Sequence, residues 1–98
     1  NPLALNQKLI PNFFGINRIF PNPFNPKTTI DYEVLENTVL KIAVYDIIGK
    51  HTTTLTNEYH TAGYYSIIWN ASNFASGIYF LKMSSEKFTV TQKLVLIK

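Results

Sequence analysis

Three prolines within six residues constrain the fold of this chain more than any other feature of its sequence. Pro21, Pro23 and Pro26 each fix φ at about −65°, and each lacks a backbone N–H group. Each proline also disfavours the helical region for the residue before it. The segment is therefore predicted to be extended, without a hydrogen-bond ladder of its own. Phe20 and Phe24 are expected to hold it on an apolar surface.

From Thr28 onward, polar and apolar residues alternate with a period of two, as in strands with one buried face. No stretch carries a helical stripe of useful length. The strands predicted on this basis are residues 28–34, 40–45, 51–56, 64–69, 78–84 and 88–97, with residues 13–20 as a candidate seventh. Six to seven antiparallel strands at this spacing predict an all-β fold, an immunoglobulin-like β-sandwich.

Local signals add detail to this arrangement. Gly49 suits a positive-φ turn between the second and third strands. The third strand, at residues 51–56, is rich in threonine and is expected at a sheet edge. The polar residues 57–63 are predicted to form a loop. Trp69, the largest apolar side chain, is expected at the centre of the core.

The composition fits one small domain. The chain has 98 residues, of which 46% are hydrophobic, enough for a real core. We expect the domain at residues 13–98, after a linker tail from an upstream domain at residues 1–12. The net charge of +3 is mild and the basic residues are scattered, so neither nucleic acid nor an acidic membrane surface is indicated as a partner. No apolar stretch approaches the roughly 18 residues of a membrane span, so membrane insertion is not expected. The absence of cysteine excludes disulfides and thiolate metal sites.

Few residues are arranged for catalysis or metal binding. His51 and His60 are predicted to be surface histidines, without a third ligand at useful spacing. Asp31 and Glu33 share one strand face about 7 Å apart, and solvated sheet faces carry such pairs routinely. The sequence shows neither a glycine-rich phosphate loop nor the spacing of a calcium-binding loop. We therefore expect no enzymatic activity, no catalytic residue, no metal site and no cofactor.

Three tyrosines offer a different kind of site. Tyr59, Tyr64 and Tyr65, if exposed side by side, would form a sugar-stacking platform of the kind found in carbohydrate-binding modules. Tyrosine is also an ordinary strand residue whose hydroxyl reaches water, and this interpretation is favoured.

Five motifs occur in a distinctive order. They are FPNPFNPKTTI at residues 20–30, VYDIIGK at 44–50, GYYSIIWNAS at 63–72, SGIYFLKM at 76–83 and QKLVLIK at 92–98. In this order they resemble the C-terminal sorting domains carried by cargo of the type IX (Por) secretion system of Bacteroidetes-like bacteria. The resemblance covers roughly residues 10–98. Those domains are similar to the immunoglobulin-like domain of the flagellar hook-capping protein, which implies the same sandwich.

The resemblance also implies which residues are recognised. They are Pro21, Asn22 and Pro23 of the proline motif, Gly77 and Tyr79 of the GxY motif, and Lys93, Leu94, Val95, Leu96, Ile97 and Lys98 of the terminal strand. The chain departs from the family pattern at His51 and at Thr52, where an apolar residue is usual. Neither departure touches the matched motifs.

The function implied is a non-catalytic sorting domain that directs a larger cargo protein through the periplasm, across the outer membrane and to the cell surface. The partners implied are the secretion translocon, a sortase-like peptidase and the upstream cargo domain in the same chain, with a cleavage site within residues 1–16. We expect residues 93–98 to be the docking strand, because a sheet edge offers an unpaired ladder to a partner.

Two alternatives belong to other classes of function. One is a structural or adhesive immunoglobulin-like module that self-associates through an edge strand. The other is a carbohydrate-binding module appended to a secreted hydrolase. A proline segment ordered against the sandwich fits the sorting and structural functions, whereas a row of exposed tyrosines would favour sugar binding.

Overall fold

The computed structural model describes residues 14–98 and contains seven strands. They are β1 (Gly15–Phe20), β2 (Lys27–Val34), β3 (Thr38–Asp46), β4 (His51–His60), β5 (Gly63–Asn70), β6 (Gly77–Ser84) and β7 (Thr89–Leu96). The predicted linker tail at residues 1–12 lies outside the described residues. Within residues 14–98, no helix is long and apolar enough to cross a membrane.

The strands form two antiparallel sheets that pack face to face. The three-stranded sheet has the order β1-β2-β5, and the four-stranded sheet has the order β4-β3-β6-β7. Every strand pair in both sheets is antiparallel. This confirms the predicted all-β sandwich, with residues 15–20 providing the candidate seventh strand.

The core lies between the sheets and is built from alternate residues of the strands. β2 and β3 each contribute three apolar side chains at a spacing of two, because successive side chains in a strand point to opposite faces. β6 and β7 follow the same rule, and Trp69 of β5 is 3% exposed, as predicted. The fully buried side chains of the core include Ile30, Val34, Leu40, Ile42, Val44, Leu81, Met83, Leu94 and Leu96. Burying each such side chain contributes about 1.5–3 kcal/mol to the free energy of unfolding.

The third predicted strand continues further than its sequence indicates. Residues 57–60 pair with β3 in a ladder in which Val39 faces Tyr59, so the predicted loop at residues 57–63 is wrong. The turn is confined to Thr61 and Ala62, where the Asn37 side chain accepts a hydrogen bond from the Ala62 N–H at 2.8 Å. Polar residues are tolerated here because β4 is an edge strand, as its threonines predicted.

His60 ends β4 and is buried, which corrects its prediction as a surface histidine. Its Nδ1 lies 3.0 Å from the carbonyl oxygen of Glu58, and a carbonyl only accepts, so Nδ1 carries the proton. Nε2 lies 2.9 Å from the hydroxyl of Tyr32, within hydrogen-bond distance. The ring also meets Tyr65 edge-on, with centroids 4.8 Å apart. Sequence reasoning missed this contact because Tyr32 lies 28 positions away on the other sheet.

Candidate recognition site at the terminal strand

The last strand, β7, forms one edge of the four-stranded sheet. Its inner side pairs with β6, in a register that places Gly77 opposite Leu96 and Tyr79 opposite Leu94. No register shift interrupts the pairing. The GxY motif and the terminal motif, 14 or more positions apart in sequence, are therefore neighbours in the sheet.

The outer side of β7 is occupied by the proline ribbon, defined here as residues 21–26. Four successive hydrogen bonds join the ribbon to the strand. The Asn22 side chain donates from Nδ2 to the carbonyl of Lys93 at 3.0 Å and accepts at Oδ1 from the N–H of Val95 at 3.0 Å. Phe24 continues the ladder with its backbone: its N–H donates to the Val95 carbonyl, and its carbonyl accepts from the Ile97 N–H, both at 2.9 Å.

The ladder corrects two expectations from the sequence. The ribbon does pair with a strand, through a parallel bridge between Phe24 and Leu96. The outer edge of β7 from Lys93 to Ile97 is covered, so it does not present an unpaired ladder. The physical reason lies in Asn22, whose side-chain amide offers one donor and one acceptor side, as a peptide group does. Its neighbours Pro21 and Pro23 lack an N–H and are unable to serve as donors.

Phe24 fixes the ribbon to the core. Its side chain is 3% exposed, and its ring centroid lies 5.4 Å from that of Trp69. Phe20, expected to be a second apolar contact, is instead 62% exposed and lies under the guanidinium of Arg18. Phe20 belongs to β1, whose side chains alternate between the core and solvent, and its position in the alternation points it outward.

Two further hydrogen bonds hold the ends of the ribbon. The hydroxyl of Thr28, itself buried, donates to the carbonyl of Pro21 at 2.7 Å. The N–H of Ala71 donates to the carbonyl of Pro26 at 2.8 Å. The ribbon is thus tied to β2 and to the segment after β5, as well as to β7. The peptide bonds before Pro21, Pro23 and Pro26 are cis.

Tyr79 connects the GxY motif to the same core cluster. Its ring meets Trp69 edge-on with centroids 5.5 Å apart, and its hydroxyl donates to the carbonyl of Ala75 at 2.6 Å. Lys98 is held beside this segment, because its N–H donates to the hydroxyl of Ser76 at 3.0 Å and its Nζ donates to the carbonyl of Ser72 at 2.6 Å.

The structure therefore brings the proline, GxY and terminal motifs together at one edge of one sheet. The terminal motif separates into two sets of side chains. Leu94 and Leu96 are fully buried and belong to the core, whereas Lys93 and Ile97 are exposed and Val95 is partly exposed. Any partner that contacts this motif in the folded domain therefore meets the second set.

The other candidate residues do not converge. Among residues 14–98, no group of three or more His, Asp or Glu side chains is placed to hold a metal ion. Asp31 accepts a hydrogen bond from Ser66, and Glu33 is buried rather than solvated. Tyr64 and Tyr65 alternate along β5 and so point to opposite faces of that sheet, so the tyrosines do not form a single platform.

Comparison with protein families identifies the domain. Residues 18–98 match the family model described as the secretion system C-terminal sorting domain. The chain belongs to this family. It is a non-catalytic sorting domain of type IX secretion, which directs its cargo to the outside of the cell. Comparisons with curated proteins and with solved structures gave no match.

The matched region contains all three motifs that meet at β7. A sorting domain of a secreted cargo interacts with the secretion machinery. The sorting domain thus carries its sequence motifs in one place, on a sheet edge that is closed by its own proline ribbon.

Proposed function

We propose that the proline ribbon, residues 77–79 and residues 93–98 form a single recognition element that the type IX translocon engages. The observation that supports this most is the ladder from Asn22 and Phe24 to β7. The ladder joins the first and last motifs of the chain, whose bonded residues are 71 to 73 positions apart. It does so through hydrogen bonds at the sheet edge, which the packing of the apolar core does not require.

The geometry favours contact with side chains over addition of a strand. Because the ribbon already occupies the outer edge of β7 between Lys93 and Ile97, a partner strand would first have to displace it. The exposed side chains of Lys93 and Ile97, with the ribbon beside them, are available without that displacement.

The proposal extends to the rest of the cargo protein. Residues 1–12 are the linker from an upstream cargo domain, and a sortase-like peptidase cleaves within residues 1–16 after translocation. The family assignment supports this order of events, since cleavage there would release the sorting domain from its cargo.

The test is export of an inert periplasmic reporter fused to residues 1–98 in a type IX-competent bacterium. We compare wild type with Asn22→Ala and with Lys93→Glu/Ile97→Ser, and use Asn73→Ala, an exposed asparagine in the segment after β5, as the matched control. We expect wild type and the control to reach the cell exterior. The two site variants should accumulate in the periplasm in folded form, as judged by Trp69 fluorescence.

Normal export of both site variants would contradict the proposal. Secretion of the wild-type reporter from a strain without a functional translocon would contradict it as well. Self-association through the terminal strand receives no specific support, because the ladder at residues 93–97 is already satisfied within the chain.

A further inference from the structure

The charge on the outer face of the four-stranded sheet is mostly positive. The side chains that point away from the core on β3, β6 and β7 include Lys41, Lys82 and Lys93 and no carboxylate. Five of the six acidic residues of the chain lie elsewhere. Asp31 and Glu33 are on the other sheet, Glu36 and Glu86 are in loops, and Glu58 lies opposite buried Leu40, on the side that faces the other sheet. The sixth, Asp46, is the last residue of β3.

Apolar side chains lie among these lysines. Tyr45 and Phe80 are directly opposite each other on β3 and β6. Beside them, the turn after β3 exposes 66% of Ile47 and 83% of Ile48. Together these four residues line a shallow groove of about 510 Å³, which is completed by Asp46, Gly49, Lys82 and Thr91.

The turn holds the two isoleucines in a fixed position. One carboxylate oxygen of Asp46 accepts hydrogen bonds from the N–H groups of Ile48 at 3.0 Å and Lys50 at 2.9 Å. Gly49 completes the turn with φ of 86°, a conformation that glycine adopts without steric cost, as the sequence predicted. Asp46 also lines the groove, so one carboxylate, engaged in the turn, lies beside Lys82.

This combination is unusual for a surface that has no partner. Single exposed apolar residues are common, but a rigid apolar projection beside an aromatic groove is typical of a protein interface. Preorganised contacts bind more tightly, because little conformational entropy is lost on association. Lys41, Lys82 and Lys93 outnumber the single carboxylate of Asp46, so the face as a whole carries net positive charge and favours a partner of negative charge.

We propose that this cationic face, defined as Lys41, Lys82 and Lys93 with Tyr45, Phe80 and the Ile47–Ile48 turn, docks onto a protein surface with an apolar pocket rimmed by carboxylates. The inference rests on the proposed function, since a secretion-machinery subunit is the partner that a sorting domain meets. A membrane surface fits less well, because polybasic lipid-binding clusters contain about 4–8 basic residues and here there are three. Lys93 lies on both surfaces, so the two sites adjoin.

The export assay with the full reporter fusion tests the face through two variants outside the terminal motifs. Ile47→Ser/Ile48→Ser removes the apolar projection, and Lys41→Glu/Lys82→Glu reverses the charge. The matched controls are Ile68→Ser, which is 63% exposed on the outer face of the other sheet, Lys27→Glu on that same face, and the charge-conserving Lys41→Arg/Lys82→Arg. We expect at least a fivefold loss of export for the two face variants and less than a twofold change for the controls.

A photoreactive amino acid at position 48 provides a readout that does not depend on export. We expect a crosslinked adduct with a subunit of the secretion machinery, identified by mass spectrometry, that is absent when the probe is at position 68. Lys41→Glu/Lys82→Glu should weaken this adduct at least fivefold. An adduct of equal intensity from both positions, or one insensitive to charge reversal, would overturn the inference.

The outcomes separate the two proposals. If the Asn22 and Lys93/Ile97 variants fail in export while both face variants are exported normally, the face is not a docking surface and the terminal recognition element stands. If the face variants fail and the terminal variants do not, the terminal element is wrong. Ile47- and Ile48-dependent sedimentation of the purified domain with phosphatidylglycerol vesicles would overturn the choice of a protein partner.

Discussion

The two edges of the four-stranded sheet are protected in different ways. The β4 edge pairs with β3 through a ladder that shifts register twice, between Ile42 and Ala43 and again between Val44 and Tyr45. The β7 edge pairs with β6 without any shift, and the proline ribbon covers its outer side. Irregular edges and covered edges both discourage pairing with another chain.

The difference shows why distant sequence motifs meet at one edge and not at the other. Bulges and threonines are local properties of a strand and require nothing from the rest of the chain. A cover must come from elsewhere, and here it comes from residues more than 70 positions earlier. Covering β7 therefore assembles a composite surface from distant segments, whereas β4 remains an ordinary edge.

The largest effect should come from Phe24→Ala, which removes the buried side chain that fixes the ribbon beside β7. Phenylalanine-to-alanine changes in cores cost about 3–5 kcal/mol. We expect a loss in this range by urea denaturation, against less than about 1 kcal/mol for the exposed Phe20→Ala. Equal losses for the two variants would show that the ribbon is not held by Phe24.

The end of β4 is held instead by the contact of His60 with Tyr32, and the burial of Tyr32 makes stability depend on pH. Burial raises the pKa of Tyr32 to about 12 from 10.0, and the charges of Tyr65 and Glu58 act in the same direction. Above pH 10 the unfolded chain releases this proton before the folded domain does, so the free energy of unfolding falls as pH rises towards 12. Below pH 10 the contribution is fully present.

We expect this loss to be on the order of 1–3 kcal/mol between pH 10 and pH 12. Denaturation series at several pH values should show a shallower decline for Tyr32→Phe than for wild type, because the other titrating groups are common to both. Parallel declines would mean that the phenol is as accessible in the folded domain as in the unfolded chain.

Asn22→Ala should destabilise the domain by about 1–2 kcal/mol, because it removes the hydrogen bonds to Lys93 and Val95. Asn22→Asp keeps the acceptor for the Val95 N–H but loses the donor to the Lys93 carbonyl. Its free energy of unfolding should therefore lie between those of Asn22→Ala and wild type. The control on the other edge is Asn57→Ala at an exposed position of β4, with an expected change under about 0.5 kcal/mol. A control effect as large as that of Asn22→Ala would remove the distinction between the edges.

The smallest effect is expected for Thr54→Ala on the β4 edge. Thr54 is exposed, and its hydroxyl lies 2.8 Å from Nε2 of His51. In the alanine variant, water replaces the hydroxyl as the hydrogen-bond partner of His51. We expect a change within about 0.5 kcal/mol in thermal unfolding. A loss above about 1 kcal/mol would indicate that the β4 edge also depends on a specific side-chain cover.

Periodicity predicted the strands well wherever one face is apolar. β2, β3, β5, β6 and β7 were found in this way. The burial of Trp69 was predicted from its size, and the positive φ of Gly49 from the conformational freedom of glycine. The end of β4 was missed because its residues are polar on both faces, and only pairing with β3 makes them a strand.

The contacts that build the site were less predictable, because they join residues far apart in sequence. His60 has the sequence neighbours of a loop residue, and only the other sheet supplies its partner Tyr32. The pairing of Asn22 with β7 was likewise missed. Its one local signal is the asparagine between two prolines, a side-chain amide where backbone donors are missing.

Amide hydrogen exchange of individual β7 residues tests the covered edge most directly. The N–H groups of Thr91, Val95 and Ile97 share the same alternation and point away from β6, but the ribbon accepts bonds only from Val95 and Ile97. In wild type, Val95 and Ile97 should exchange at least about tenfold more slowly than Thr91, and Asn22→Ala should abolish the protection of Val95 first. Exchange of Val95 as fast as that of Thr91 would contradict the covered edge.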